Sequence, residues 1–179
     1  MNPDMPNILQ RDDPVLRGKA KPVPISDIGS PKLNKILEDM EIAMSSQKDG
    51  IAIAAPQIGH ALQMFMISGT LLKKADGKYS EESEYMIFIN PKITKLSKEK
   101  KDMEEGCLSV RWLYGKVPRS TRASITALDE KGEKISRGAS GLLAQIFQHE
   151  CDHLNGVLFT DKADEVWEMS EDEIAELKK

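Results

Sequence analysis

His149 and His153 stand four positions apart with Glu150 beside the first, in Gln148-His149-Glu150-Cys151-Asp152-His153. Apolar residues at Leu142, Leu143, Ile146, Phe147 and Leu154 recur with helical spacing through this stretch. Ser140 supplies a helix cap ahead of it, and Asn155-Gly156 a left-handed stop behind it. On a helix, residues four apart lie one above the other, so the two imidazoles leave on the same side. Glu150, one step round, reaches a group held between the rings without being a ligand itself. H-E-x-x-H is the arrangement for a divalent metal, an acidified water and a carboxylate that takes its proton. An ordinary amphipathic helix with two surface histidines fills the same three positions. Against it, two of the chain's three histidines form this pair. The apolar turns around them also direct the rings inward, where an unpaired imidazole is costly. Cys151 points away from the ligand side and reads as a packed thiol.

A catalytic site of this kind takes three protein ligands and keeps one position open. The third histidine of the longer H-E-x-x-H-x-x-G-x-x-H pattern would fall on Phe159, which excludes that class. Glu168, Glu171 and Glu173 follow at suitable distances, but they lie in a charged tail where Ser170 and Glu173 already make a capping box. Cys107 stands in an uncharged stretch, residues 106–110, and its thiolate is a strong ligand for soft or borderline divalent ions. A buried, inert cysteine is the plainer reading of the same residue. The spacing alone leaves the third ligand open.

The elements that must position these groups are legible in outline. Residues 7–24 alternate short apolar pieces with turn residues and proline, which predicts an extended arm (residues 1–24) packed over the core. Ser30-Pro31 starts a helix whose 3.6-residue period runs to about Ser46. Residues 50–59 are small and uncharged, which permits close approach of a backbone or a substrate. Residues 64–67, 85–89, 93–96 and 123–128 read as strands, with Asp129-Glu130-Lys131-Gly132 as a hairpin turn. Residues 69–84 and the lysines of 98–101 read as exposed loop, and residues 157–159 as a short apolar run. A final helix follows over residues 170–179. The sum is one α+β domain over residues 1–179, with short, mostly antiparallel strands around the buried H-E-x-x-H helix.

The length of 179 residues suits that single domain, and 40% apolar with 30% charged residues is ordinary for a globular chain. A formal net charge of -4 gives no electrostatic case for nucleic acid or an anionic membrane as partner. No signal segment and no membrane-spanning run is visible, and two cysteines make no disulfide framework. The expectation is a cytoplasmic monomer.

Residues 50–57, Glu105-Gly106-Cys107-Leu108-Ser109 and residues 148–153 resemble, in order and spacing, the three signature motifs of the peptide deformylase family. Asp13-Pro14-Val15-Leu16-Arg17 and residues 154–159 extend the resemblance over nearly the whole chain. It implies that Cys107, His149 and His153 hold one divalent ion, natively Fe2+, with Zn2+ or another divalent ion also accepted. It implies that Glu150 moves the proton while N-formylmethionyl peptides are hydrolysed to formate and a free amine, with Gln57 and the backbone N–H of Leu108 meeting the oxyanion. It further implies walls for the methionine side chain at Ile51, Leu142 and Ile146, a peptide strand laid along Gly50, Ile51 and Ala52, and a transient contact with the ribosome. For Leu142 and Ile146, plain core packing is an equal reading of the residues. The chain departs from the family pattern at four positions. Ala52 replaces a glycine and Ile53 a leucine. Arg111 stands where proline is frequent, and Tyr114 where arginine is. Arg111 is the candidate to restore the charge lost at residue 114. A metallopeptidase using a tail glutamate, or a silent homologue that binds nascent chains, would be the rival readings.

Overall fold

Ser30 and Pro31 open α1 (Pro31–Ser45) as the sequence predicts: the Ser30 hydroxyl accepts the Leu33 N–H, and proline occupies the first turn. Leu33, Ile36, Leu37, Met40, Ala43 and Met44 form its buried stripe. The computed structural model describes residues 6–69, 71 and 85–178. In it, α1 packs on one face of a five-stranded antiparallel sheet. In spatial order the strands are β1 (Ala52–Ala54), β2 (Met64–Ser68), β3 (Tyr85–Leu96), β6 (Arg122–Leu128) and β7 (Lys134–Ser140). Alternation along a strand sends successive side chains to opposite faces. Met64 and Met66 therefore join α1, while Phe65 and Ile67 join the other side.

That other side is covered by α2 (Gly141–His153), whose Leu143, Ala144, Ile146 and Phe147 pack on Phe65, Ile67, Phe88, Ile125 and Ala127. Phe65 and Phe88 stack at 4.6 Å between centroids, and Phe147 meets Phe88 edge-on at 5.4 Å. A second antiparallel sheet holds β4 (Lys100–Gly106), β5 (Leu113–Ser120) and β8 (Glu165–Glu168) over a small core of Val110, Val117, Leu158 and Phe159. The α+β class and the H-E-x-x-H helix at its centre are as expected.

Several expectations need correction. The lysines of 98–101 do not all lie in a loop: Lys100 and Lys101 begin β4, paired with Ser120 and Arg119, and only their side chains face solvent. The strands expected at 85–89 and 93–96 are one strand, irregular at Asn90 (φ 50), whose side chain bonds both the N–H and the carbonyl of Val23 at 2.8 Å. Residues 157–159 run into a 3₁₀ turn (Phe159–Asp161), and β8 was not foreseen. Ser140 occupies the cap position of α2, but its hydroxyl makes no capping bond. The loop expected at 69–84 lies outside the described residues apart from 69 and 71. The hairpin turn at 129–132 closes as expected, with Asp129 N–H donating to Glu133 O. The C-terminal helix, α3 (Glu171–Lys178), has its capping box: the Ser170 N–H and hydroxyl both donate to Glu173.

The arm buries Leu16, Ala20 and Val23 against the core. It also meets the end of α2, where Gly156 turns left-handed at φ +74. A Cβ on Gly156 would lie 2.5 Å from the Arg17 carbonyl oxygen. Only glycine fits both demands.

Candidate metal centre and its cleft

His149 and His153 project from α2, and Cys107 follows directly on the last residue of β4. A turn closed by Val110 N–H to Cys107 O at 3.0 Å presents the thiol. Cys107 Sγ lies 3.2 Å from His153 Nε2, and one ligand atom from each of Cys107, His149 and His153 falls within 4.8 Å of the others. Sulfur and nitrogen ligands around one tetrahedral ion stand about 3.5 Å apart, so the donor set fits a single divalent ion. It is the cluster found among the described residues, and no tail glutamate belongs to it.

Behind the ligands runs a chain of alternating charge. Glu105 accepts from His149 Nδ1 at 2.9 Å, leaving Nε2 for the centre. Arg119 donates to both oxygens of Glu105 at 2.7 and 2.9 Å, and to Asp152 at 2.6 Å; Lys162 reaches Asp152 at 2.7 Å from the surface. Burial alone would raise the Glu105 pKa, but His149 and Arg119 together hold it down at about 2. Burial likewise opposes the charged form of His149, and the Cys107 and Glu105 contacts outweigh it and raise its pKa. His153 goes the other way, lowered by burial and by the charge on His149.

Glu150 is buried at 3% exposure, and its Oε2 has no hydrogen-bond partner. Burial pushes its pKa up to about 7, against the pull of His149. A buried carboxyl oxygen without a partner, beside three convergent metal-type donors, leaves Glu150 free to accept a hydrogen bond from a group bound there. Cys151 packs on the core, as expected, with its thiol pushed to about 12 by burial.

Gln57 comes from the 3₁₀ turn (Ala55–Ile58) that follows β1. Its Oε1 accepts the Ala54 N–H at 2.8 Å, which aims the amide nitrogen at Ser109 Oγ (3.1 Å) and Cys107 Sγ (3.6 Å). The arm braces both flanks: Leu9 N–H donates to Gln57 O at 2.8 Å, and Gln10 Nε2 to Leu108 O at 3.1 Å.

In front of these groups a cleft of about 200 Å³ is lined by Ala52, Leu108, Tyr114, Ile146, His149 and Glu150, among others. Ile51 and Leu142 also line it and are 41% and 49% exposed, so Leu142 is not a core residue. Ile146 serves both the cleft and the core. Gly50 does not line the cleft; a Cβ there would strike the Met44 carbonyl at the end of α1, which accounts for the glycine. Sequence reasoning missed Glu105 as a partner of His149, and Arg119, Asp152 and Gln10 altogether. Arg119 did carry a signal, since a charge inside an apolar strand pattern implies a buried partner.

The polypeptide deformylase family model matches residues 5–168. Peptide deformylase 2 of Clostridium acetobutylicum is 40% identical over 150 residues, which are 84% of this chain and 89% of that protein. Peptide deformylase 1A, chloroplastic/mitochondrial, of Arabidopsis thaliana is 37% identical over 169 residues, 89% of this chain, but the chain spans only 61% of that longer protein. The class I type b peptide deformylase of Acinetobacter baumannii with Met-Ala-Ser bound superposes with a TM-score of 0.75 at 30% identity, over 87% of this chain and 97% of that one.

Proposed function

This chain belongs to the polypeptide deformylase family, hydrolases that release the N-terminal formyl group of nascent polypeptides, and from that premise we propose how its own residues perform the reaction. Cys107, His149 and His153 hold one divalent ion, which when bound supplies Lewis acidity, acidifying water and polarising the formyl carbonyl. The Cys/His/His donor set is compatible with Fe2+ and with Zn2+. Glu150 takes the proton from the attacking water and passes it to the leaving amine, whose departure releases formate. The Gln57 amide and the Leu108 N–H donate to the formyl oxygen as it gains charge. Glu105 fixes the His149 ring through Nδ1, and Arg119 fixes Glu105.

The methionine side chain enters among Ile51, Leu142 and Ile146. The peptide adds as a strand to β1, which among the described residues is the end strand of its sheet and pairs on one side only, with β2. Met-Ala-Ser in the Acinetobacter baumannii structure is a peptide of the kind this cleft would release. No helix of the described residues is long and apolar enough to cross a membrane. We infer a monomer that works in the cytoplasm on chains as they emerge from the ribosome.

The observation that carries the reading is the convergence of Cys107, His149 and His153 beside the buried Glu150. The test is formate release from a formyl-Met peptide by ferrous-loaded protein kept free of oxygen. Turnover is expected; its absence would favour the silent homologue. Cys107→Ala should abolish metal retention, which a site completed by a tail glutamate would survive.

A further inference from the structure

We propose that Arg111 and Asp49 form a strap across one end of the cleft, which fixes the separation of its walls and makes the two positioning residues for peptide binding. The inference rests on the peptide-cleft reading above. Asp49 lines the cleft directly before Gly50, Ile51 and Ala52, the residues leading into β1. Arg111 ends the turn that carries Cys107 and Leu108 on the facing wall. Its Nη1 donates to Asp49 Oδ2 at 2.5 Å, and its Nη2 to Asp49 Oδ1 at 3.1 Å and Gln47 Oε1 at 2.8 Å.

This is a bidentate pair, the geometry in which an arginine–carboxylate contact is both strong and directional. The two side chains are 18% and 27% exposed, so water screens them less than a surface pair. The guanidinium also lies 5.1 Å from the Trp112 ring, and the Arg111 N–H donates to Gln10 Oε1 at 3.4 Å. Its charge is thus taken up by Asp49, and Arg111 does not restore a free cation for the one lost at Tyr114.

What the strap holds is a segment otherwise tied by the Gln47 N–H to Met44 O, the Gly50 N–H to Gln47 O and the Ser68 N–H to Ile51 O, none of which reaches the facing wall. Residues 47–51 lie between the end of α1 and the start of β1, backed by Gly50 against Met44. Across the strap, that segment is tied to the turn bearing the metal ligand. A proline at residue 111 would leave no side chain to make the connection. Without the strap the walls move apart, and a peptide between them loses contact on one side or the other. The reacting groups keep their places, because Glu150, Gln57 and the three ligands take no bond from the Arg111 or Asp49 side chains, and the backbone bond from Arg111 to Gln10, which braces Leu108, does not depend on the Arg111 side chain.

The test uses the metal-loaded full chain with Arg111→Ala, Asp49→Ala, both together, and the exchanged pair Arg111→Asp with Asp49→Arg. KM and kcat are read with formyl-Met-Ala-Ser, and affinity for the product Met-Ala-Ser by calorimetry. Each single variant should raise KM and weaken product binding about tenfold while kcat stays within about twofold. The double variant should be no worse than either single one, and the exchanged pair should recover most of the affinity. Additive losses, unchanged affinity, or a fall in kcat or metal content in place of the KM effect would overturn the strap. If the parent released no formate, the deformylase reading would fall, and the Met-Ala-Ser affinities would still decide the strap by the same comparison.

Discussion

Glu150 and Glu105 show how two carboxylates within one site are driven apart by their surroundings. Glu150 is buried with an oxygen unpartnered and rises to about 7; Glu105 is equally buried but clamped by Arg119 and His149, and falls to about 2. The first is suited to exchanging a proton and the second to staying charged. Glu150→Gln keeps the shape and removes the base, so kcat should fall by ~10²–10⁴ with metal content unchanged, checked by formate assay and elemental analysis. Glu105→Gln should leave the three ligands in place but weaken metal binding by about 10–100-fold, read by competition with a coloured chelator. The first carboxylate was legible in the sequence because H-E-x-x-H is local. The second was not: Glu105 meets His149 only because β4 and α2 come together, and Arg119 meets Glu105 only across the β4–β5 pairing.

Among the elements, those with a strong internal period were readable and those defined by a partner were not. The period of α1, its Ser30-Pro31 start and the alternation of β6 all stand in the structure. β4 opens with lysines that carry no apolar alternation, so nothing local marks it as a strand; its identity comes from β5 alongside. β8 is four residues long and depends on β5 in the same way. The stop of α2 was visible as Asn155-Gly156, but its second constraint, the Arg17 carbonyl pressed against Gly156, required the arm to be in place. Gly156→Ala adds a left-handed penalty of about 1 kcal/mol to a backbone clash, and should cost about 2–4 kcal/mol in a denaturant titration. The same change at Gly29, also left-handed at φ +79 but with nothing near its Cβ position, should cost only about 1 kcal/mol.

For the molecule as a whole, the candidate site is an assembly joint. Cys107 comes from the end of the smaller sheet, the histidines from the helix under the larger one, and Gln57 from the turn after its end strand. An ion held by the native set and not by the unfolded chain stabilises by mass action, about 2.7 kcal/mol at a hundredfold excess over Kd. Stripping the metal with a chelator should therefore lower the melting temperature, and restoring a divalent ion should reverse the change, followed by calorimetry.

β1 is three residues long and, among the described residues, has sheet neighbours on one flank alone. A border of that kind offers amide and carbonyl groups, which every polypeptide carries in the same rhythm whatever its side chains. Recognition placed there would ignore spelling and check only that the guest is extended and begins correctly, so one catalyst could serve the products of many unrelated messages.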